Sequence, residues 1–168
     1  VEQVWMDRTE EEKDGGFGLK IAAMKPDVVI DMINFRPESA QQIVEALRGR
    51  ISHYLYTSSV WGHGMSTLLP AGENQSRHPS AEYGIRKTAT ETYLREAYER
   101  DGFPSTSVLP GHITGPGWSC VNPCGNFDPQ VFGRIARGEE ILIPHFGRET
   151  VHHVHADDVA QVFQQALT

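Results

Sequence analysis

The sequence predicts an α/β fold, a parallel sheet flanked by helices, and two observations predict it. Short β-branched or aromatic runs alternate along the chain with segments whose apolar residues recur at helical spacing, the pattern that builds strand–helix–strand crossovers. The clearest run, "KPDVVIDMINF", is apolar at successive rather than alternate positions, as suits a strand covered on both faces, and such strands belong to parallel sheets.

Taken in order, "VEQVWMDRTEEEKDGG" has alternating Val1 and Val4 before an acidic run and reads as a strand followed by a solvated loop. The strand within "KPDVVIDMINF" follows, bounded by Pro26. "RPESAQQIVEALRGR" is a helix, with Pro37 near its start, Ile43, Val44 and Leu47 on one face, and Gly49 at its end. "ISHYLYTSSVWGHG" is a second apolar-aromatic strand that runs into Thr57-Ser58-Ser59 and a glycine-punctuated loop, and "MSTLLPAGENQSRHPS" continues as loop. Ser80 is placed to cap a helix reaching about Arg100 and closing at Asp101-Gly102, with Ile85, Ala89, Tyr93 and Ala97 as its buried side. "STSVLPGHITGPG" is a strand that breaks at Pro110 into a glycine-rich turn. "NFDPQVFGRIARGEE" is a helix with Asp128 as cap, Pro129 in first position and Gly138 closing it; "ILIPHF" is a strand; and "ADDVAQVFQQALT" is a helix whose Asp157 and Asp158 suit the positive end of its dipole.

Length and composition narrow the function classes. With 168 residues, 39% hydrophobic and 22% charged, the chain is the size of one globular domain that can bury a core without staples. A net charge of −7 offers no basic stripe to displace counterions from phosphates, so nucleic acid is not an expected partner. No apolar run approaches the roughly 20 residues that span a bilayer, so no membrane partner is expected. Two cysteines, Cys120 and Cys124, are too few for a disulfide framework and read as loop thiols of a reducing, cytoplasmic setting.

The chemistry concentrates in "AEYGIRKTATETYL", where Tyr83 and Lys87 stand at i and i+4 and share a helix face. A free phenol is a poor base at neutral pH, and a nearby fixed cation favours its ionised form. The pair could therefore trade a proton with a substrate oxygen. Such a match alone is weak, and the plainer alternative is a half-buried tyrosine beside a surface lysine. Its context strengthens it: hydroxyl residues 57 to 59 end the strand before it, and a Pro-Gly break ends the strand after it, both at the carboxyl edge where open α/β sheets bind ligands.

In order, "YTSSVWG", "YGIRK", "LPGHITGPG" and "VHHVHADDVA" resemble the successive signatures of the extended short-chain dehydrogenase/reductases, the NAD-dependent epimerase/dehydratase group, over roughly Asp27 to Ala166. The resemblance implies a Rossmann-like domain, NAD or NADP as cofactor, and a Ser/Thr-Tyr-Lys triad. Its catalytic hydroxyl falls on Thr57, with Ser58 second; Tyr83 is the acid or base; Lys87 lowers the phenol pKa and binds the nicotinamide ribose. It further implies cofactor contacts at Met32, Ile33, Asn34, Thr57, Ser58, Pro110, Gly111, His112 and Ile113, substrate contacts at Ser59 and Asn126, and the beginning of a substrate lobe around residues 116–148. A homodimer is implied as well. The expected activity is an NAD(P)-dependent epimerase/dehydratase or reductase on a sugar-nucleotide-like or other small hydroxyl or carbonyl substrate; the alternative is a non-catalytic NAD(P)-binding sensor or scaffold.

The sequence also departs from that family. The glycine fingerprint that cradles the pyrophosphate is missing, since "GGFG" at Gly15 to Gly18 follows no nearby strand and has the wrong spacing. The expectation is a chain truncated at its N-terminus by about fifty residues, two strands and their helices, and truncated at its C-terminus too. The residue that would choose NAD over NADP is missing with it. Trp61 stands where the family often has tyrosine, and the arginine that many sugar-nucleotide enzymes carry before the late strand falls on Val151, with Arg148 shifted. His152, His153 and His155 with Asp157 and Asp158 do not suggest a metal site, because on a strand His152 points away from the other two. No Gly-x-Ser-x-Gly turn makes Thr57-Ser58-Ser59 a hydrolase nucleophile.

Overall fold

The structure, a computed structural model, describes residues 2–65, 70–148 and 150–167. It divides into two compact units, one ending at Leu109 and the other beginning at Pro110.

The first unit contains α1 (Arg8–Lys13), α2 (Gly16–Ala23), β1 (Val28–Asp31), α3 (Pro37–Leu47), β2 (His53–Thr57), a 3-10 turn (Val60–His63), α4 (Glu82–Asp101) and β3 (Ser105–Val108). The strands form a parallel sheet in the order β1-β2-β3, with Asp31 beside Tyr56 and Thr57 beside Val108, so their carboxyl ends share one edge. Phe17 and Ala22 of α2, Ile43, Val44 and Leu47 of α3, Leu94 and Ala97 of α4, and Phe103 pack with Tyr54 and Tyr56 of β2 into one core. Burying a side chain such as Leu47 stabilises the fold by about 1.5–3 kcal/mol. Gly102 ends α4 at φ 72°, a left-handed backbone that glycine adopts without steric cost, and its N–H bonds the Tyr98 carbonyl at 2.8 Å.

The second unit contains β4 (His112–Thr114), α5 (Gln130–Ala136), a 3-10 turn (Pro144–Gly147), β5 (His153–His155) and α6 (Ala156–Gln165). β4 and β5 pair in parallel, with Ile113 beside Val154. The 116–148 segment lies within this unit.

Four expectations are corrected, and one segment given no element, "GGFG", proves to be helical. The N-terminal segment holds no strand within 2–7; instead Asp7 caps α1, its carboxylate accepting from the N–H groups of Thr9 and Glu10. "GGFG" enters α2, where a Cβ on Gly18 would sit 2.2 Å from the Gln42 carbonyl, so the missing side chain serves close packing of α2 on α3. Among the described residues "ILIPHF" pairs with no strand and leads into the 3-10 turn, so its backbone gains no ladder. Ala81 rather than Ser80 occupies the cap position of α4, with no side-chain cap bond. The buried side of α4 is Gly84, Lys87, Thr90, Leu94 and Ala97, while Ile85 is exposed. That face carries a lysine and a threonine, which an apolar periodicity passes over. A strand after Pro110, β4, also went unread.

Candidate active site

Tyr83 and Lys87 lie in the first two turns of α4 and reach the carboxyl edge of the sheet. Lys87 is only 1% exposed. Its ammonium donates to the Asn34 carbonyl after β1 and to the Thr57 carbonyl at the end of β2, both at 2.7 Å. It also lies 5.0 Å from the ring centres of Phe35 and Tyr56 and 5.6 Å from that of Tyr83. Burial draws its pKa down to about 8, while the charges of Asp31 and Glu91 hold it up and that of Arg8 adds to the fall.

Tyr83 is 43% exposed. Burial raises its pKa and the Ser59 hydroxyl works the other way. The expected lowering of the phenol by Lys87 is thus corrected for the chain by itself: the ammonium sits against the ring and spends its bonds on carbonyls, so desolvation decides the direction.

The three hydroxyls after β2 take different partners. Thr57 Oγ1 donates to the Met32 sulfur at 3.1 Å. Ser58 donates to the Glu91 carboxylate, and Ser59 accepts from the Trp61 N–H at 3.3 Å as the cap of the 3-10 turn. Glu91 lies one turn beyond Lys87 and faces Arg77 at 3.4 Å; burial raises its pKa, and Ser58 and Arg77 counteract this. Gly84 lets α4 approach the 3-10 turn, since a Cβ there would stand 2.5 Å from the Trp61 carbonyl.

The structure therefore gathers Asn34, Thr57, Ser58, Ser59, Tyr83 and Lys87 at one edge, with Met32 and Ile33 half-exposed to exposed on the β1 side. Pro110, Gly111, His112, Ile113 and Asn126 belong to the second unit. There, a Cβ on Gly111 would meet the His152 carbonyl at 2.4 Å, and Asn126 Oδ1 accepts from buried Asn122 at 2.6 Å. His153 Nε2 accepts from the Val121 N–H, and His155 caps α6, which gives both rings structural work. Sequence reasoning missed Glu91, although it stands at i+4 from Lys87, and Asp31, although it is the one charge inside an apolar run.

Residues 25–168 match the model of the NAD dependent epimerase/dehydratase family. The chain belongs to that family. Within it, the chain is 34% identical over 167 residues to the 2'-dehydrokanamycin reductase of Streptomyces kanamyceticus, covering 99% of this chain and 46% of that one. Among solved structures, the UDP-glucose 4-epimerase of Thermotoga maritima with UDP-glucose superposes with a TM-score of 0.68 at 21% identity, covering 92% of this chain and 56% of that one. The UDP-glucuronic acid 4-epimerase of Bacillus cereus, in complex with UDP-glucuronic acid and NAD, gives 0.69 at 16% identity, covering 90% and 52%. Those two likenesses show the Rossmann-like fold shared by this epimerase/dehydratase family member. The chain spans about half the length of these relatives.

Proposed function

We propose that the protein carrying this chain is an NAD(P)-dependent epimerase/dehydratase or reductase acting on a hydroxyl or carbonyl of a sugar-like substrate. The observation that carries the reading is the half-exposed Tyr83 phenol with the buried Lys87 ammonium beside its ring. A relative named 2'-dehydrokanamycin reductase and neighbours named for UDP-glucose and UDP-glucuronic acid support a sugar-like substrate.

The residues present suit the nicotinamide-ribose half of the cofactor. Lys87 gives two of its three N–H groups to carbonyls, which leaves one for a ribose hydroxyl. Met32 and Ile33 offer apolar surface at the sheet edge. Asn34 and Ser58 shape the floor, and Pro110 to Ile113 are proposed to line the ring. Gly18 is occupied with packing against α3 and is not proposed to cradle the pyrophosphate half. When bound, the cofactor supplies hydride exchange with the substrate carbon.

This chain's own residues then handle the oxygen. Thr57 presents its hydroxyl to the substrate oxygen; thioether sulfur is a weak acceptor, so leaving Met32 costs little. Tyr83 exchanges the proton with that oxygen, and Ser59 steadies the ionised phenol. The 116–148 segment, with Asn126, is proposed as part of a substrate lobe.

A non-catalytic NAD(P)-binding protein of the same fold is the second reading, favoured by the raised phenol. In the full-length protein, Tyr83→Phe is expected to lower turnover at least 100-fold with little change in cofactor affinity. Turnover that survives the substitution would remove Tyr83 from the mechanism, and a wild type that binds NAD(P) without turning over carbonyl sugars would establish the second reading.

A further inference from the structure

We propose that Asp31 is a positioning residue for Lys87, acting through the Asn34 turn; the inference rests on Lys87 serving the site as an ammonium. Asp31 ends β1 and is 5% exposed. Arg8 of α1 grips it with both terminal nitrogens, at 2.6 and 3.0 Å. The Tyr54 hydroxyl donates to it at 2.7 Å and Asn34 Nδ2 at 3.1 Å. Arg8 is itself anchored by Glu12 at 2.6 Å, and Glu12 is held in turn by Arg36 and Ser39, each at 2.8 Å.

Asn34 is fully buried and joins this cluster to the site. Its side chain binds Asp31 through Nδ2 and accepts the Arg36 N–H through Oδ1 at 3.3 Å, while its backbone carbonyl receives Lys87 Nζ. A side chain tied at both ends fixes the peptide plane, and that plane aims one of the two carbonyls on which the ammonium rests. Asp31 also supplies negative charge to a cation shut away from water. The charged and titratable groups facing Lys87 are Asp31 from β1, Arg8 from α1, Tyr56 from β2, and Tyr83 and Glu91 from its own helix.

The test uses the full-length protein, with the Lys87 side-chain titration followed by NMR and assigned by Lys87→Met. In Asp31→Asn the titration is expected to move down by about one pH unit, the effect of removing one nearby counter-charge. With the midpoint moved from about 8 to about 7, about half of the ammonium is lost at pH 7, so turnover there should fall about twofold from that cause and recover that share at pH 6, where the ammonium is restored. A fold-only role would give no recovery with acid. An unmoved titration in folded Asp31→Asn overturns the proposal. Should that variant fail to fold because Arg8 loses one of its two carboxylates, Asn34→Ala decides: it keeps the carbonyl and loses the tether. Its turnover should fall roughly tenfold at both pH values, and unchanged turnover overturns the proposal. If Lys87→Met itself retains turnover, the functional reading fails, while the effect of Asp31 on the titration stands or falls separately.

Discussion

The ammonium of Lys87 lies 5.6 Å from the centre of the Tyr83 ring, against the ring rather than bonded to the phenol oxygen. Its strong bonds go to the carbonyls of Asn34 and Thr57, so the lysine fastens α4 across the ends of β1 and β2. The same side chain is thereby both a structural tie and the cation of the site.

With its pKa drawn down to about 8, Lys87 loses its proton in an accessible range. The kcat/KM of the full-length protein, which reports the free enzyme, should fall on the alkaline side with a midpoint near that value. Stability has the opposite sign. Between about 8 and the ordinary lysine value of 10.5 the unfolded chain binds more protons than the folded one, so the contribution of Lys87 to stability rises with pH across that window. A pH series of denaturant midpoints for wild type and Lys87→Met checks it, because the rise should be smaller in the variant.

Lys87→Met should also destabilise the fold at pH 7, where two carbonyls lose their donor. Leaving one buried acceptor unsatisfied costs about 1–3 kcal/mol, offset in part by removing a buried charge. Urea unfolding measures the net change; an increase in stability would show that the charge outweighs the carbonyls.

Thr57→Val and Ser59→Ala separate two roles. Thr57→Val is expected to lower kcat roughly 10- to 100-fold without moving the pH profile, because it removes the hydroxyl proposed to meet the substrate oxygen. Ser59→Ala is expected to displace the phenol's titration upward, because Ser59 is the group opposing its rise. Equal and unshifted profiles would assign neither role.

Tyr54→Phe removes a 2.7 Å bond to buried Asp31 and should cost about 1.5–3 kcal/mol at neutral pH. Arg8, Tyr54 and Asn34 hold the Asp31 pKa below its ordinary value, against burial, which raises it. A depressed carboxylate contributes stability above the unfolded pKa of about 3.9 and loses it as pH falls through the folded value. The destabilisation by Tyr54→Phe should therefore shrink in acid, which thermal melts at pH 7 and pH 3 would show.

The shared face of Tyr83 and Lys87 was legible because i and i+4 spacing is a property of the helix itself. The strands at 28–31 and 53–57 and the helix from Pro37 were legible for similar local reasons. "ILIPHF" misled because a strand needs a partner, and apolar character cannot say whether one is in reach. The buried side of α4 misled because Lys87 and Thr90 are buried for their bonds rather than their hydrophobicity. The pairing of Arg8 with Asp31, 23 positions apart, leaves no local pattern at all. The family resemblance pointed to Thr57, yet only coordinates could show Ser59 acting on the phenol and Ser58 turned to Glu91.

Gly84 contributes no functional group, yet with the Trp61 carbonyl so close, every other amino acid would lever the start of α4 outward and carry its neighbour Tyr83 away from Ser59. A saturation scan selecting for turnover should consequently find this chemically silent position as unforgiving as the tyrosine beside it. Engineers seeking to retune the proposed proton donor would do better to vary what surrounds the ring than to rebuild the corner on which it hangs.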